Sequence, residues 1–219
     1  MIAPATLTFL RDLKKNNNKE WFDKNKPRYI IARDNVAEIT DELLKLLSVF
    51  EKKFKGLTSK DCLFRIYRDV RFSNDKRPYK NNMGSSINTG GKKANTAGYY
   101  LHIEPGNSFF AGGIWMPPGD ALKKIRQEID YNGNQLNKIL ADKDFKKYFG
   151  SLAEEYKLKT TPKGYDKNHP DIELLRFNSF IAWKQFSDKE VTGKNFLKDL
   201  VKGSKIMKPF IDFLNTGMG

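Results

Sequence analysis

The sequence predicts an α+β fold, a single domain over residues 1–219 in which N-terminal, middle and C-terminal helices flank a mainly antiparallel sheet of about five strands. Three observations predict it. Apolar residues recur at helical intervals near the start, in the middle and at the end of the chain. Between them lie short segments of β-like pattern separated by polar or Gly-containing breaks. No repeat or low-complexity linker divides the 219 residues, a length suited to one domain with a sizeable core.

Leu7, Leu10 and Leu13 share one helical face before Asn16, Asn17 and Asn18 interrupt it. Asn18 is suited to cap a second short helix opening on Trp21 and Phe22, because its side-chain oxygen accepts a free backbone N–H. Pro27 fits a first helical position, and Val36, Ile39, Leu43, Leu46, Leu47, Phe50 and Phe54 then advance by threes and fours, so one face of a long helix is buried. Strand patterns occupy residues 62–67, 83–88, 97–104 and 108–115, and Pro105, Gly106 and Asn107 predict an antiparallel hairpin between the last two. Helical spacing returns after Pro118 with Leu122, Ile125 and Ile129, continues through Leu136, Ile139 and Leu140, and recurs over 145–149 before Gly150. Residues 160–171, with Pro162, Gly164 and Pro170, read as loop. A further strand covers 179–186, and Thr192 is the expected cap of a last helix reaching Leu214.

Lys and Arg number 40 against 26 for Asp and Glu, a net charge of +14 that points to an anionic partner. One cysteine, Cys62, and two histidines, His102 and His169, exclude a disulfide framework, an iron–sulfur cluster on its own thiolates and a four-ligand zinc site built from Cys and His alone. Acidic sites for magnesium stay open, and neither a metal ligand nor a cofactor is assigned. The start of the chain lacks the apolar stretch of a signal peptide, and the most apolar run, 109–118, falls short of the ~20 residues that span a bilayer. A cytoplasmic protein with no membrane partner is expected. No Walker loop, no dinucleotide fingerprint, no G-x-S-x-G elbow and no H-E-x-x-H occurs.

The densest functional signal is residues 64–80, where six basic and two acidic residues interleave with aromatic rings. At strand period, Arg65, Tyr67, Asp69 and Arg71 share one face, while Phe64, Ile66, Arg68 and Val70 share the other. That aims Arg68 among apolar neighbours, where a guanidinium persists only beside a carboxylate or bound anion. Its planar fork matches phosphate or carboxylate with paired hydrogen bonds. Arg65, Arg68, Arg71, Lys76, Tyr79 and Lys80 would frame such a pocket; the alternative is a structural ion-pair network with a solvated turn. Arg176 is a further candidate anion contact or partner for Asp69. Farther along, Tyr100, His102 and Glu104 alternate onto one side of a strand and Tyr99, Leu101 and Ile103 onto the other. The first set supplies either a catalytic proton carrier, His102 or Glu104, or a hydrogen-bonded structural face. Trp115, after Gly112 and Gly113, walls a pocket mouth or packs in the core. Lys194, Lys198, Lys202, Lys205 and Lys208 form a stripe on the last helix, either a track for a phosphate backbone or an anionic membrane surface, or a solvated face.

The motifs at 64–80, 98–105 and 112–117 resemble those of a widespread, mainly bacterial family known only as a conserved domain of unknown function. Asn18 to Phe22, Pro162 to Tyr165 and Leu174 to Phe177 extend the likeness over nearly the whole chain. The resemblance implies one cytoplasmic α+β domain and carries no activity or catalytic residue. The leading expectation is therefore a protein that binds a phosphate- or carboxylate-bearing small molecule, with enzymatic turnover as an addition. Nucleic-acid binding through the basic surface and a protein-interaction role without a small ligand are the alternatives.

Overall fold

A computed structural model describes residues 1–219. Helix α1 (Pro4–Lys15) buries Leu7, Leu10 and Leu13, as their spacing predicts. Asn18 caps α2 (Lys19–Lys24) by accepting the Trp21 N–H at 2.9 Å. The long helix α3 (Lys26–Leu47) starts at Pro27 as expected but ends short of Phe50 and Phe54. The Ser48 hydroxyl donates to the Lys45 carbonyl at 2.7 Å and closes its last turn, so Phe54 enters the core from a 3-10 turn, Lys52–Phe54.

The first of the five expected strands does not form. The Asp61 carboxylate accepts both the N–H and the hydroxyl of Thr58 at 2.9 Å and winds α4 (Ser59–Cys62) into a turn of helix. Beyond it the chain makes only two isolated antiparallel bridges, Leu63 with Ser85 and Tyr67 with Tyr79. Pro78 accepts the Arg68 N–H at 2.9 Å but has no N–H to return, so the ladder stops. Four strands remain, β1 (Met83–Ile87), β2 (Gly98–Ile103), β3 (Ser108–Ile114) and β4 (Phe180–Phe186), in the antiparallel order β1-β2-β3-β4. The fold class is α+β, as the sequence predicts. Gly106, at φ +74°, turns the expected hairpin between β2 and β3.

The chain forms two compact units. The first, residues 1–92, 100–110 and 185–201, holds α1 to α4, β1 and the short α8 (Asp188–Val191). In it α3 packs against α1, α2, α4 and β1, burying Phe9, Phe22, Val36, Ile39 and Leu43. The second, residues 93–99, 111–184 and 202–219, holds α5 (Gly119–Ala141), α6 (Lys143–Phe149), α7 (Ile172–Leu175) and most of α9 (Phe196–Met218). There α5 packs on α6 and α7, and the Tyr99 hydroxyl donates to the Ser204 carbonyl at 3.1 Å. Gly113, at φ +123°, brings β3 so close to β4 that a Cβ would stand 1.8 Å from the Phe180 carbonyl oxygen. Thr192 does not cap the last helix. The Ser187–Glu190 capping box starts α8, Thr192 closes it by donating to the Asp188 carbonyl at 2.8 Å, and α9 begins only at Phe196. No helix is long and apolar enough to cross a membrane.

Candidate functional site

Residues 63–80 are pinned at their far end. The Tyr79 ring stacks on Phe22 of α2 at 4.0 Å and 14°, and its backbone N–H and carbonyl bond the Asn17 side chain at 3.0 and 2.9 Å. Ile66 is buried while Phe64 is 41% exposed, so the strict strand alternation does not hold across this segment. Between Tyr67 and Tyr79 the charges close mostly on one another. Arg68 Nη1 sits 2.8 Å from Asp75 and 2.9 Å from the Arg77 carbonyl, Arg77 holds the same Asp75 at 2.7 Å, and Arg71 holds Asp69 at 2.6 Å. The guanidinium of Arg77 keeps the Asp75 carboxyl well below the usual range, and Arg71 does the same for Asp69. Lys76 donates to the Val70 carbonyl at 3.1 Å. Asp69 therefore takes Arg71 as its partner, whereas Arg176 pairs with Glu173 at 2.6 Å.

The alternation on β2 does hold. Tyr99, Leu101 and Ile103 are buried on one side, and Tyr100, His102 and Glu104 form a hydrogen-bonded row on the other. Tyr100 Oη lies 3.0 Å from His102 Nδ1, and His102 Nε2 lies 3.3 Å from Glu104 Oε2. Lys14 of α1 stands 3.7 Å from Glu104. Phe109 of β3 stacks on the imidazole at 4.5 Å and 10°, fixing its plane. Burial pushes the His102 pKa down, against the pull of Glu104, and pushes the Tyr100 hydroxyl up to about 12. Both side chains are therefore neutral near neutral pH. Gly84 on β1 makes the row possible, because a Cβ there would stand 2.5 Å from Tyr100 Oη.

In front of this row opens a cleft of about 440 Å³, lined by Phe64, Arg68, Asp69, Lys80, Asn82, Gly84, Tyr100 and His102, all of the first unit. Its size falls in the range of small-molecule sites. Of the residues singled out from sequence, Arg68, Asp69, Lys80, Tyr100 and His102 meet here, with Glu104 behind His102. The lining omits Arg65, Tyr67, Arg71, Lys76 and Tyr79. Tyr79 serves the core, Tyr67 packs its ring against Phe22 and Tyr79, and Arg71 serves Asp69. Trp115 is 66% exposed and meets Tyr156 edge-on at 6.3 Å in the second unit. Phe64, Asn82 and Gly84 were missed as lining. Lys80 and Asn82 lead into β1, and the spacing of two from Lys80 through Asn82 to Gly84 is the pattern an extended chain puts on one face.

The electrostatics single out Lys80. Its half-buried ammonium stands 5.3 Å over the Phe64 ring, and burial followed by the charge of Arg65 pushes its pKa down, with no carboxylate in ion-pair reach. No group of three or more His, Cys, Asp or Glu stands together as metal ligands. The family described as "Conserved hypothetical protein (DUF2461)" matches residues 5–213. No curated protein and no solved structure matches the chain.

Proposed function

Since the chain belongs to the DUF2461 family of conserved hypothetical proteins, a description that carries no activity, we propose from its site that it binds a phosphate- or carboxylate-bearing small molecule in the cleft between Lys80 and Tyr100. The observation that carries this reading is Lys80. A half-buried cation without a carboxylate costs stability, and such a charge in a cleft marks a place prepared for an anion. Arg68, about a quarter exposed, adds a second positive charge, held in place by Asp75. Asp69 of the same lining is held by Arg71 and has lone pairs left to accept from a ligand's hydroxyl or amino groups. The lone buried thiol of Cys62 accords with a cytoplasmic setting.

A thermal-shift screen against sugar phosphates, nucleotides and dicarboxylates tests this reading. A ligand at 100 times its Kd should stabilise the native state by about 2.7 kcal/mol. The shift should vanish in Lys80→Ala and persist when Lys198 and Lys202 are both replaced by Ala. Lys80→Ala itself should fold at least as stably as the wild type, since it removes an uncompensated charge. A screen with no small-molecule hit, or a shift that Lys80→Ala leaves intact, refutes the reading.

A further inference from the structure

Resting on that reading, we propose that the group seated in the cleft is a tetrahedral dianion, a phosphoryl group, and that its arrival turns the Tyr100 hydroxyl away from His102 and puts a proton on His102.

The hydrogen bonds along β2 have a direction. A carboxylate oxygen accepts, so His102 Nε2 carries the hydrogen of the 3.3 Å contact with Glu104. Tyr100, its pKa pushed up to about 12, is protonated and donates across 3.0 Å to Nδ1, leaving a neutral ring with one hydrogen. Lys80 and Asn82 face the cleft with no hydrogen-bond partner for their side chains, while the single O–H of Tyr100 is committed to the imidazole.

An oxyanion beside Tyr100 is a better acceptor than a neutral imidazole, because hydrogen bonds to an ionised group are roughly twice as strong. Once the hydroxyl turns to the anion, its oxygen presents lone pairs to Nδ1. The 3.0 Å contact then survives only if Nδ1 becomes a donor. The ring meets this by taking one proton from solvent, and the imidazolium donates to Tyr100 Oη through Nδ1 and to Glu104 through Nε2.

The charges around the ring set the balance. Glu104, the residue after β2, and Asp69 of the cleft lining favour the imidazolium; Arg68, Lys80 and, behind Glu104, Lys14 of α1 oppose it. Burial under Phe109 keeps the empty site neutral. A dianion reverses that balance. The turned hydroxyl and the second charge are both required: a carboxylate brings one negative charge, which Lys80 matches while Asp75 engages Arg68, and leaves the buried ring neutral; the second charge of a phosphoryl group is the one that the His102 proton matches.

Sulfate is the probe, a tetrahedral dianion that does not titrate between about pH 5 and 8, the range where histidine does. Calorimetry in buffers of different ionisation enthalpy should show uptake of about one proton per sulfate bound at neutral pH. Affinity should fall by up to about tenfold per pH unit above the empty-site pKa of His102. The imidazole 15N resonances of His102 should move to the imidazolium pattern on adding sulfate while those of His169 stay fixed. Tyr100→Phe should bind sulfate without proton uptake, and acetate should bind the wild type more weakly and without it. Sulfate binding that Lys80→Ala abolishes but that leaves His102 neutral overturns this proposal and spares the anion cleft. Acetate binding with the same proton uptake overturns the phosphoryl preference. No sulfate binding overturns this proposal and spares the anion cleft where acetate still binds and Lys80→Ala abolishes it; binding of neither anion overturns both readings.

Discussion

Gly84 carries a cost that can be measured. A methyl group there would stand 2.5 Å from the Tyr100 hydroxyl and force the ring to move. Gly84→Ala should therefore lose about 1–3 kcal/mol in urea unfolding through overpacking, and should shift the His102 ring resonances as the Tyr100 hydrogen bond breaks. His102 makes a second prediction. Burial holds its pKa below the ordinary value, so around and below about pH 6.5 the unfolded state binds more protons than the native state and stability is lost as the pH is lowered. Urea midpoints should drop between about pH 7 and 5.5 in the wild type and less in His102→Gln. Cys62, buried and with its thiol pushed up to about 11, should react with a thiol reagent only as fast as the protein unfolds. At this scale the sequence was legible where a period of two held, and Tyr100, His102 and Glu104 stand in the row that the period predicts. It was not legible where partners are set by a turn: nothing in the order of residues says that Arg68 takes Asp75 while Asp69 takes Arg71.

The elements that hold the site are small, and their caps and stacks matter more than their length. Helix α2 has six residues, fixed by the Asn18 cap and by Phe22, which is 1% exposed beneath Tyr79. Asn18→Ala should cost about 1 kcal/mol. Phe22→Ala should cost about 3–5 kcal/mol and expose residues 68–78 to limited proteolysis before the rest of the chain is cut. The long helices declared themselves through spacing of three and four, and the β2–β3 hairpin through Pro105, Gly106 and Asn107. The strand expected over 62–67 failed because local chemistry outweighed pattern. A capping interaction wound its start, and Pro78 withheld the N–H that a ladder needs. The box at Ser187 and Glu190 was readable in the same terms, yet the apolar spacing after Thr192 hid it.

Over the whole molecule, the charge of +14 attracts any polyanion, so charge alone does not choose between a cleft ligand and a nucleic acid. Lys198, Lys202 and Lys205 are exposed along α9, and oligonucleotide binding through them should weaken with salt by a slope near 0.9 per phosphate neutralised. Such binding should be indifferent to Lys80→Ala, which separates the two surfaces. Composition raises the expectation of an anionic partner; it does not make the cleft legible, because that depends on the fold bringing Lys80, Asn82 and Gly84 into one lining with Tyr100 and His102. The most direct measurement is an NMR titration of the native protein with inorganic phosphate at moderate salt, following backbone amides. The cleft account predicts saturable shifts at Phe64, Arg68, Lys80, Asn82, Gly84, Tyr100 and His102, abolished in Lys80→Ala. Shifts confined to α9, or spread evenly over the basic surface without saturation, would contradict it.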